Sequence, residues 1–125
     1  MRQPVRTEGA PAAVGPYSQA VVAAGWLWVS GQIPLRPETG RLVEGGIEDQ
    51  TRQALRNLVA VLEAAGSGVH RVVKVTLYLT DLDSFDAVNR VYAEFFHDEP
   101  PARVCVEVSR LPRGAQVEVD AVALA

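Results

Sequence analysis

Two stretches of sequence decide the fold predicted for this chain: PARVCVEV at residues 101–108 and QVEVDAVA at residues 116–123. Both alternate apolar and polar residues, which is typical of β-strands with one buried face and one polar face. The alternation places Arg103 and Cys105 on one face of the first strand, and Glu118 and Asp120 on one face of the second. Because the connection between the strands is short, we expect a hairpin-like return that brings Arg103 and Glu118 close together at the edge of a cleft.

The remainder of the chain predicts further strands and two helices around this strand pair. They are a β-hairpin over residues 20–30, a helix that begins at Ile47 and is stopped by Gly66, a strand over residues 72–79, and a helix between the capping region 81–84 and Asp98. Each helix carries a single apolar stripe at three-and-four spacing. We therefore expect both helices to pack on one face of a mixed sheet, in one α+β domain spanning residues 1–125.

The opposite face of the predicted sheet is polar enough to line a cleft. We expect the apolar face of the 72–79 strand to contain Val73, Val75, Leu77 and Leu79. The residues assigned to the cleft are Lys74, Thr76, Tyr78, Arg103, Cys105 and Glu118. A hydrophobic share of 48% in only 125 residues suggests a subunit interface, and oligomerisation would cover this face. Trp26 and Trp28 share one strand face, and the sequence leaves open whether they belong to the core, an interface or a cleft wall.

Charge and composition narrow the partners and the compartment. The net charge is -3 and the arginines are scattered along the chain, which argues against nucleic acid as a partner. One cysteine excludes an intramolecular disulfide, and the N-terminal residues lack the apolar core of a signal peptide. No apolar run approaches the length of a membrane span. We expect a cytoplasmic protein.

The sequence contains no motif for a metal, a cofactor or a nucleophile. His70 and His97 lie far apart with no helical or strand spacing, and no paired cysteines are present. Gly45-Gly46 is not followed by the residues of a phosphate-binding loop. Cys105 has no histidine nearby in sequence, so a small buried hydrophobic residue is the favoured interpretation. From the residues alone, Arg103 and Glu118 are equally well explained as an ion pair at a sheet edge or as a functional pair.

Several segments together closely resemble one family. They are residues 10–20 (APAAVGPYSQA), 30–34 (SGQIP), 50–58 (QTRQALRNL), 72–76 (VVKVT), 89–92 (NRVY), 101–103 (PAR), 111–112 (LP) and 117–119 (VEV). In order and spacing they resemble the Rid (YjgF-type) family, and within it the RidA branch of reactive imine and enamine deaminases. The resemblance covers nearly the whole chain. It implies a chorismate-mutase-like α+β fold and a homotrimer with a central barrel and clefts between subunits.

The resemblance also implies a reaction and the residues for it. The reaction is cofactor-independent hydrolysis of 2-iminobutanoate or 2-iminopropanoate to the 2-oxo acid and ammonia. Arg103 matches the arginine that binds the substrate carboxylate, and Glu118 matches the acid that positions water. The other matching cleft positions are Tyr17, Ser30, Gly31, Asn89 and Cys105. Val104 departs from the serine found in many members of the branch, but its strand parity points it away from Arg103, so we expect little effect.

Two functions of other classes remain open at this point. One is a non-catalytic trimer that binds 2-oxo acids or acts like a chaperone. The other is the endoribonuclease or translation-inhibitor activity attributed to members of the family. The acidic balance and the lack of a basic stripe argue against RNA as a substrate.

Overall fold

One six-stranded mixed sheet carries both helices of the protein in a computed structural model that describes residues 1–125. The strands are β1 (Gln3–Val5), β2 (Ala20–Ala23), β3 (Trp26–Gln32), β4 (Val72–Leu79), β5 (Ala102–Glu107) and β6 (Val117–Leu124), and the helices are α1 (Ile47–Ala64) and α2 (Phe85–Phe95). Short 3₁₀ turns occupy Val69–Arg71, Leu82–Ser84 and Pro112–Gly114. The strand order is β1-β2-β3-β6-β4-β5, and only the β4–β5 pair is parallel. The predicted mixed sheet with two helices is confirmed.

Helix α1 forms where the apolar stripe predicts it and ends at Ala64, two residues before the predicted glycine. Its acidic residues Glu48 and Asp49 lie in the first turn, where they complement the positive end of the helix dipole. Gly66 adopts a left-handed conformation with φ +79°, and the next amide, that of Ser67, donates a hydrogen bond back to the Leu62 carbonyl. This closing pattern favours glycine, because a side chain disfavours positive φ.

The core lies between the two helices and one face of the sheet. A cluster of 21 buried residues joins α1 and α2 to strands β2, β3, β4 and β6. Leu58 of α1, Val88 of α2 and Leu77 of β4 are fully buried within it. The prediction that Val73 belongs to this apolar face is wrong. A register shift between Val72 and Lys74 buries Val72 and leaves Val73 41% exposed.

The predicted hairpin between the two defining strands is also wrong, because β4 lies between them. Strand β5 runs parallel to β4, and a parallel pair requires a crossover, which α2 provides. The segment 108–116 instead passes over the end of β4. Two backbone hydrogen bonds hold it there, from the Val108 amide to the Leu79 carbonyl and from the Thr80 amide to the Gln116 carbonyl.

The register across β4 sets which face each side chain occupies. Val75 pairs with Arg103 on one side and Ala121 on the other, whereas Tyr78 pairs with Val106 and Glu118. Paired residues share a face, and positions three apart on a strand lie on opposite faces. Because Val75 is fully buried, its row lies on the helix-covered face. Glu118 therefore lies on the open face.

This arrangement corrects the predicted cleft. Lys74, Thr76, Tyr78 and Glu118 do share the open face, but Arg103 and Cys105 lie on the helix-covered face. The apolar residues of the open face include Trp26, Trp28, Val104 and Val106, each at least 38% exposed. A core position for the two tryptophans is thereby excluded. Neither helix combines the length and the hydropathy needed to span a membrane.

Candidate functional site

Arg103 is held by three residues of one helix face. Its Nη1 donates a hydrogen bond of 2.8 Å to Oδ1 of Asn89. Its Cζ lies 4.8 Å from the ring centroid of Tyr92 and 5.5 Å from that of Phe85. Phe85, Asn89 and Tyr92 follow one another at spacings of four and three, which places them on one side of α2, facing β5. Helix α2 therefore holds the guanidinium through a neutral amide and two aromatic rings.

The positive charge of Arg103 has no acidic partner. The ion pairs of the chain join Arg36 to Glu38, Arg52 to Glu94, Arg90 to Glu48 and His97 to Asp98. The hydrogen bond to Asn89 is the only one that the Arg103 side chain donates within the chain. A partly buried guanidinium with these neighbours is well suited to bind an anion, above all a carboxylate, which matches its planar fork.

Cys105 follows Arg103 on the same face of β5. It is partly buried and packs against the main core cluster. Burial raises the pKa of the Cys105 thiol, and the neighbouring charge of Arg103 opposes this only in part. A thiol whose pKa is raised is poorly ionised at neutral pH, so the geometry favours a packing role over a nucleophilic one.

Tyr92 is not among the predicted site residues, and the structure brings its ring into contact with Arg103. Burial raises the pKa of the Tyr92 phenol to about 12, so the group is uncharged at neutral pH. Its hydroxyl is buried and has no hydrogen-bond partner. The signal for this contact is present in the sequence, because Asn89 lies four residues after Phe85 and three before Tyr92. The spacing predicts a contact with Arg103 only when β5 is known to lie beneath this face of α2.

Glu118 lies against the backbone of β3. A Cβ atom placed on Gly31 would come within 1.9 Å of the Glu118 Oε2 atom, so glycine at this position makes room for the carboxylate. Gly31 lies where the β3–β6 register shifts, between Val29 and Gln32. Burial, and after it the charge of Asp120, raises the pKa of the Glu118 carboxyl. Both effects disfavour the ionised form and move this group toward the range of a general acid or base.

Tyr17 belongs to the loop that precedes β2, and Ser30 precedes Gly31 in β3. The Ser30 hydroxyl donates to the Ser18 carbonyl at 2.5 Å, and the Tyr17 hydroxyl accepts from the Val14 amide at 3.2 Å. The buried Gln19 side chain holds the same loop, because its amide group donates to three carbonyls and its oxygen accepts from Thr7. Tyr17 and Gly31 both line one small cavity. These contacts fix the loop beside Glu118.

The seven predicted site residues thus form two groups. The first contains Arg103, Asn89 and Cys105, and the second contains Tyr17, Ser30, Gly31 and Glu118. Arg103 and Glu118 are two strands apart and three residues out of register, which corresponds to about 10 Å in each direction, on opposite faces of the sheet. A groove of about 870 Å³ is lined by Tyr17 but by neither Arg103 nor Glu118. One chain does not bring the two groups together.

The titratable residues offer no set of metal ligands. No three His, Cys, Asp or Glu side chains converge on one point. The acidic pair Glu118 and Asp120 lies on the open face, where the hydroxyl of Tyr78 donates to Asp120 Oδ2 at 2.9 Å. The chemistry available at these positions is anion binding at Arg103 and proton transfer at Glu118.

Comparison with known proteins gives matches along nearly the whole chain. The family model described as endoribonuclease L-PSP matches residues 7–125. A RutC family protein of Pyrococcus horikoshii is 52% identical over 123 residues, which cover 98% of each chain. The 2-iminobutanoate/2-iminopropanoate deaminase of Mus musculus is 44% identical over 124 residues, covering 99% of this chain and 92% of that protein. A Yersinia pestis protein of the conserved Rid family, described as of unknown function, has a crystal structure with a TM-score of 0.97, 47% identity and full coverage of both chains. This likeness confirms the predicted chorismate-mutase-like α+β fold.

Proposed function

The chain belongs to the YjgF/Rid family, and we propose that it is a cofactor-independent deaminase that hydrolyses 2-iminobutanoate and 2-iminopropanoate. The observation that carries this proposal is the state of Arg103, which is held by Asn89 and two aromatic rings and has no acidic partner. A 2-imino acid carries a carboxylate, and the guanidinium fork binds a carboxylate through two parallel hydrogen bonds. Arg103 therefore fixes the orientation of the substrate.

Glu118 is proposed to handle the water. The oxygen of water adds to the carbon of the C=N bond while the nitrogen gains a proton, and the resulting carbinolamine then loses ammonia and leaves the 2-oxo acid. A carboxylate within hydrogen-bond reach accepts a proton from the attacking water and returns one to the leaving nitrogen. The raised pKa of Glu118 suits both steps, because a group that must accept and donate works best when its pKa lies near the working pH.

The separation of the two groups supports a site shared between subunits. Within one chain Arg103 and Glu118 lie on opposite faces of the sheet. We propose that the protein forms a homotrimer, in which Arg103 of one subunit and Glu118 of the next line the same cleft. The exposed apolar residues Trp28, Val104 and Val106 on the open face are consistent with an interface there. In this proposal the enzyme acts on small imino acids in the cytoplasm.

The first test is release of ammonia from an imino acid that a threonine dehydratase or an amino-acid oxidase generates in the cuvette. The wild-type protein should accelerate this release. Arg103→Ala and Arg103→Lys should both lose it, because an ammonium group cannot reproduce the fork. Arg110→Lys is the matched control, since Arg110 is exposed and belongs to neither group. Full activity in either Arg103 variant would remove the carboxylate-binding role, and cleavage of single-stranded RNA without imine hydrolysis would favour the ribonuclease alternative.

A second test addresses the shared cleft directly. Arg103→Ala and Glu118→Gln should each be inactive alone, but subunits of both kinds, unfolded together and refolded, should regain activity. In a random mixture of equal amounts, about a quarter of the clefts combine an intact Arg103 with an intact Glu118, so about a quarter of the wild-type rate is expected. Light scattering should give the mass of a trimer. A monomer of 13.5 kDa, or no recovery in mixed trimers, would contradict the shared site.

A further inference from the structure

The aromatic rings of α2 orient the guanidinium of Arg103. An arginine side chain has many rotamers, and a ligand that must immobilise it loses affinity. Here the Cζ of Arg103 lies 4.8 Å from the Tyr92 ring centroid, within the range in which a ring face attracts a cation. Phe85 presents a second ring at 5.5 Å. These contacts with two rings restrict the rotamers of the Arg103 side chain.

Tyr92 is itself held firmly. Its side chain is 6% exposed, and its ring packs on that of Phe96 at a centroid distance of 4.9 Å. The Tyr92 hydroxyl makes no hydrogen bond, so the ring is the part of the side chain that contacts the cation. A buried hydroxyl without a partner destabilises a fold. What the residue contributes here is therefore its ring face.

Asn89 completes the arrangement and decides which edge of Arg103 remains available. Its Oδ1 accepts from Nη1 at 2.8 Å. The opposite edge, formed by Nε and Nη2, makes no hydrogen bond within the chain. That edge carries two parallel N–H groups, which is the arrangement that binds a carboxylate through both of its oxygens.

We infer that Tyr92 and Phe85 are positioning residues that stack on the guanidinium of Arg103, so that its Nε–Nη2 edge is oriented for a carboxylate before the ligand arrives. This inference rests on the proposed function for the identity of the ligand, a 2-oxo or 2-imino acid. According to this inference, α2 contributes to ligand affinity as well as to the packing of the core. The aromatic ring, and not the phenol group, carries the effect.

Binding of 2-oxobutanoate, measured by isothermal titration calorimetry, tests the inference without any need for turnover. Tyr92→Leu removes the ring face and should weaken binding about tenfold, which corresponds to about 1.4 kcal/mol. Tyr92→Phe keeps the ring face and should bind like the wild type. Phe85→Leu removes the more distant and more exposed ring and should weaken binding about threefold. Val91→Ala is the matched control, because it removes buried apolar volume from α2 without touching Arg103.

The outcomes separate positioning from packing and from the proposed reaction. Val91→Ala should lower the melting temperature and leave the Kd unchanged. Wild-type affinity in both Tyr92→Leu and Phe85→Leu would overturn the inference, and so would an equal loss in Tyr92→Phe and Tyr92→Leu. If Tyr92→Leu does not fold, Phe85→Leu decides alone, since its ring is 38% exposed. A wild-type protein that binds 2-oxobutanoate but releases no ammonia would refute the deaminase and leave the positioning role standing, whereas no binding by the wild type would refute the inference itself.

Discussion

Gly31→Ala adds one methyl group at the point where the Glu118 carboxylate rests on β3. The new Cβ would lie 1.9 Å from Glu118 Oε2 and 2.8 Å from its Cδ, whereas ordinary contacts begin at 3.4 Å. The difference between 3.4 and 1.9 Å means that the oxygen must move by at least about 1.5 Å, a shift on the scale at which catalytic alignment is lost. The variant therefore displaces the carboxylate without removing it.

The displacement should affect turnover much more than stability. Gly31 does not adopt a positive φ, so alanine fits its backbone, and the clash is with the end of a flexible side chain that can turn away. A misplacement of about 1 Å can cost a factor of about 100 in rate. A positioned general acid or base contributes a factor of about 100 to 10,000. We expect kcat to fall about 100-fold, with a melting temperature near that of the wild type.

The assay combines ammonia release from the imine, thermal unfolding and the Kd of 2-oxobutanoate. Gly31→Ala should resemble Glu118→Gln, and the double variant should lose no more activity than Glu118→Gln alone, because both changes act on one carboxylate. Gly68→Ala is the matched control, since it adds the same methyl group into open space on an extended backbone. Wild-type kcat in Gly31→Ala would refute the reasoning. Losses that multiply in the double variant would show that Gly31 acts through something other than Glu118.

Three further predictions concern groups around the two halves of the site. Asp120→Asn removes the charge that helps to raise the pKa of Glu118, so that pKa should fall and the acidic limb of the kcat/KM profile should move to lower pH; a limb that stays in place or moves upward would rule out the coupling. Cys105→Ser should keep turnover within about threefold of the wild type, because the thiol packs and does not react; an inactive but folded variant would restore the nucleophile interpretation. Asn57→Ala leaves the Ile33 and Leu35 carbonyls without their buried donor, so the free energy of unfolding in urea, compared at one protein concentration, should fall by about 2–4 kcal/mol. No change there would mean that water replaces the amide.

The helices and the individual strands could be predicted because each is marked by a pattern within its own segment of the sequence. The stripe of α1 and the glycine at residue 66 are contained within one segment, and so is the alternation in β5 and β6. No sequence pattern marks the extra residue at Val73, where the register of β4 against β6 shifts. A bulge exchanges which of two adjacent valines faces the core, and Val72 and Val73 are chemically identical.

The neighbours of each strand were not predictable from alternation. Period two separates Arg103 from Val104, but it does not say which of them faces the helices. The apolar face of β5 was expected on the core, and the structure shows the reverse, with Val104 and Val106 outward. The reason lies in α2, because Asn89 accepts a hydrogen bond from Arg103 and the ring of Tyr92 lies against its guanidinium, so the charged side chain can face the helix. The residues of the site were predicted by family resemblance, whereas their division into two groups required the strand order.

The outward-facing valines of β5 and the division of the site into two groups both point to an interface at this strand. Strand β5 is one of the two edge strands of the sheet, with Arg103 on its helix-covered side and exposed valines on its open side. An edge strand with an exposed apolar face is normally covered, since it otherwise invites uncontrolled association. In the proposed trimer, a partner subunit that covers Val104 and Val106 lies against the β5 edge, and we expect its open face, which carries Glu118, to approach Arg103 there. In this proposal, burial of Val104 and Val106 between subunits completes the site, so Val104→Lys should dissociate the proposed trimer and abolish the proposed turnover together.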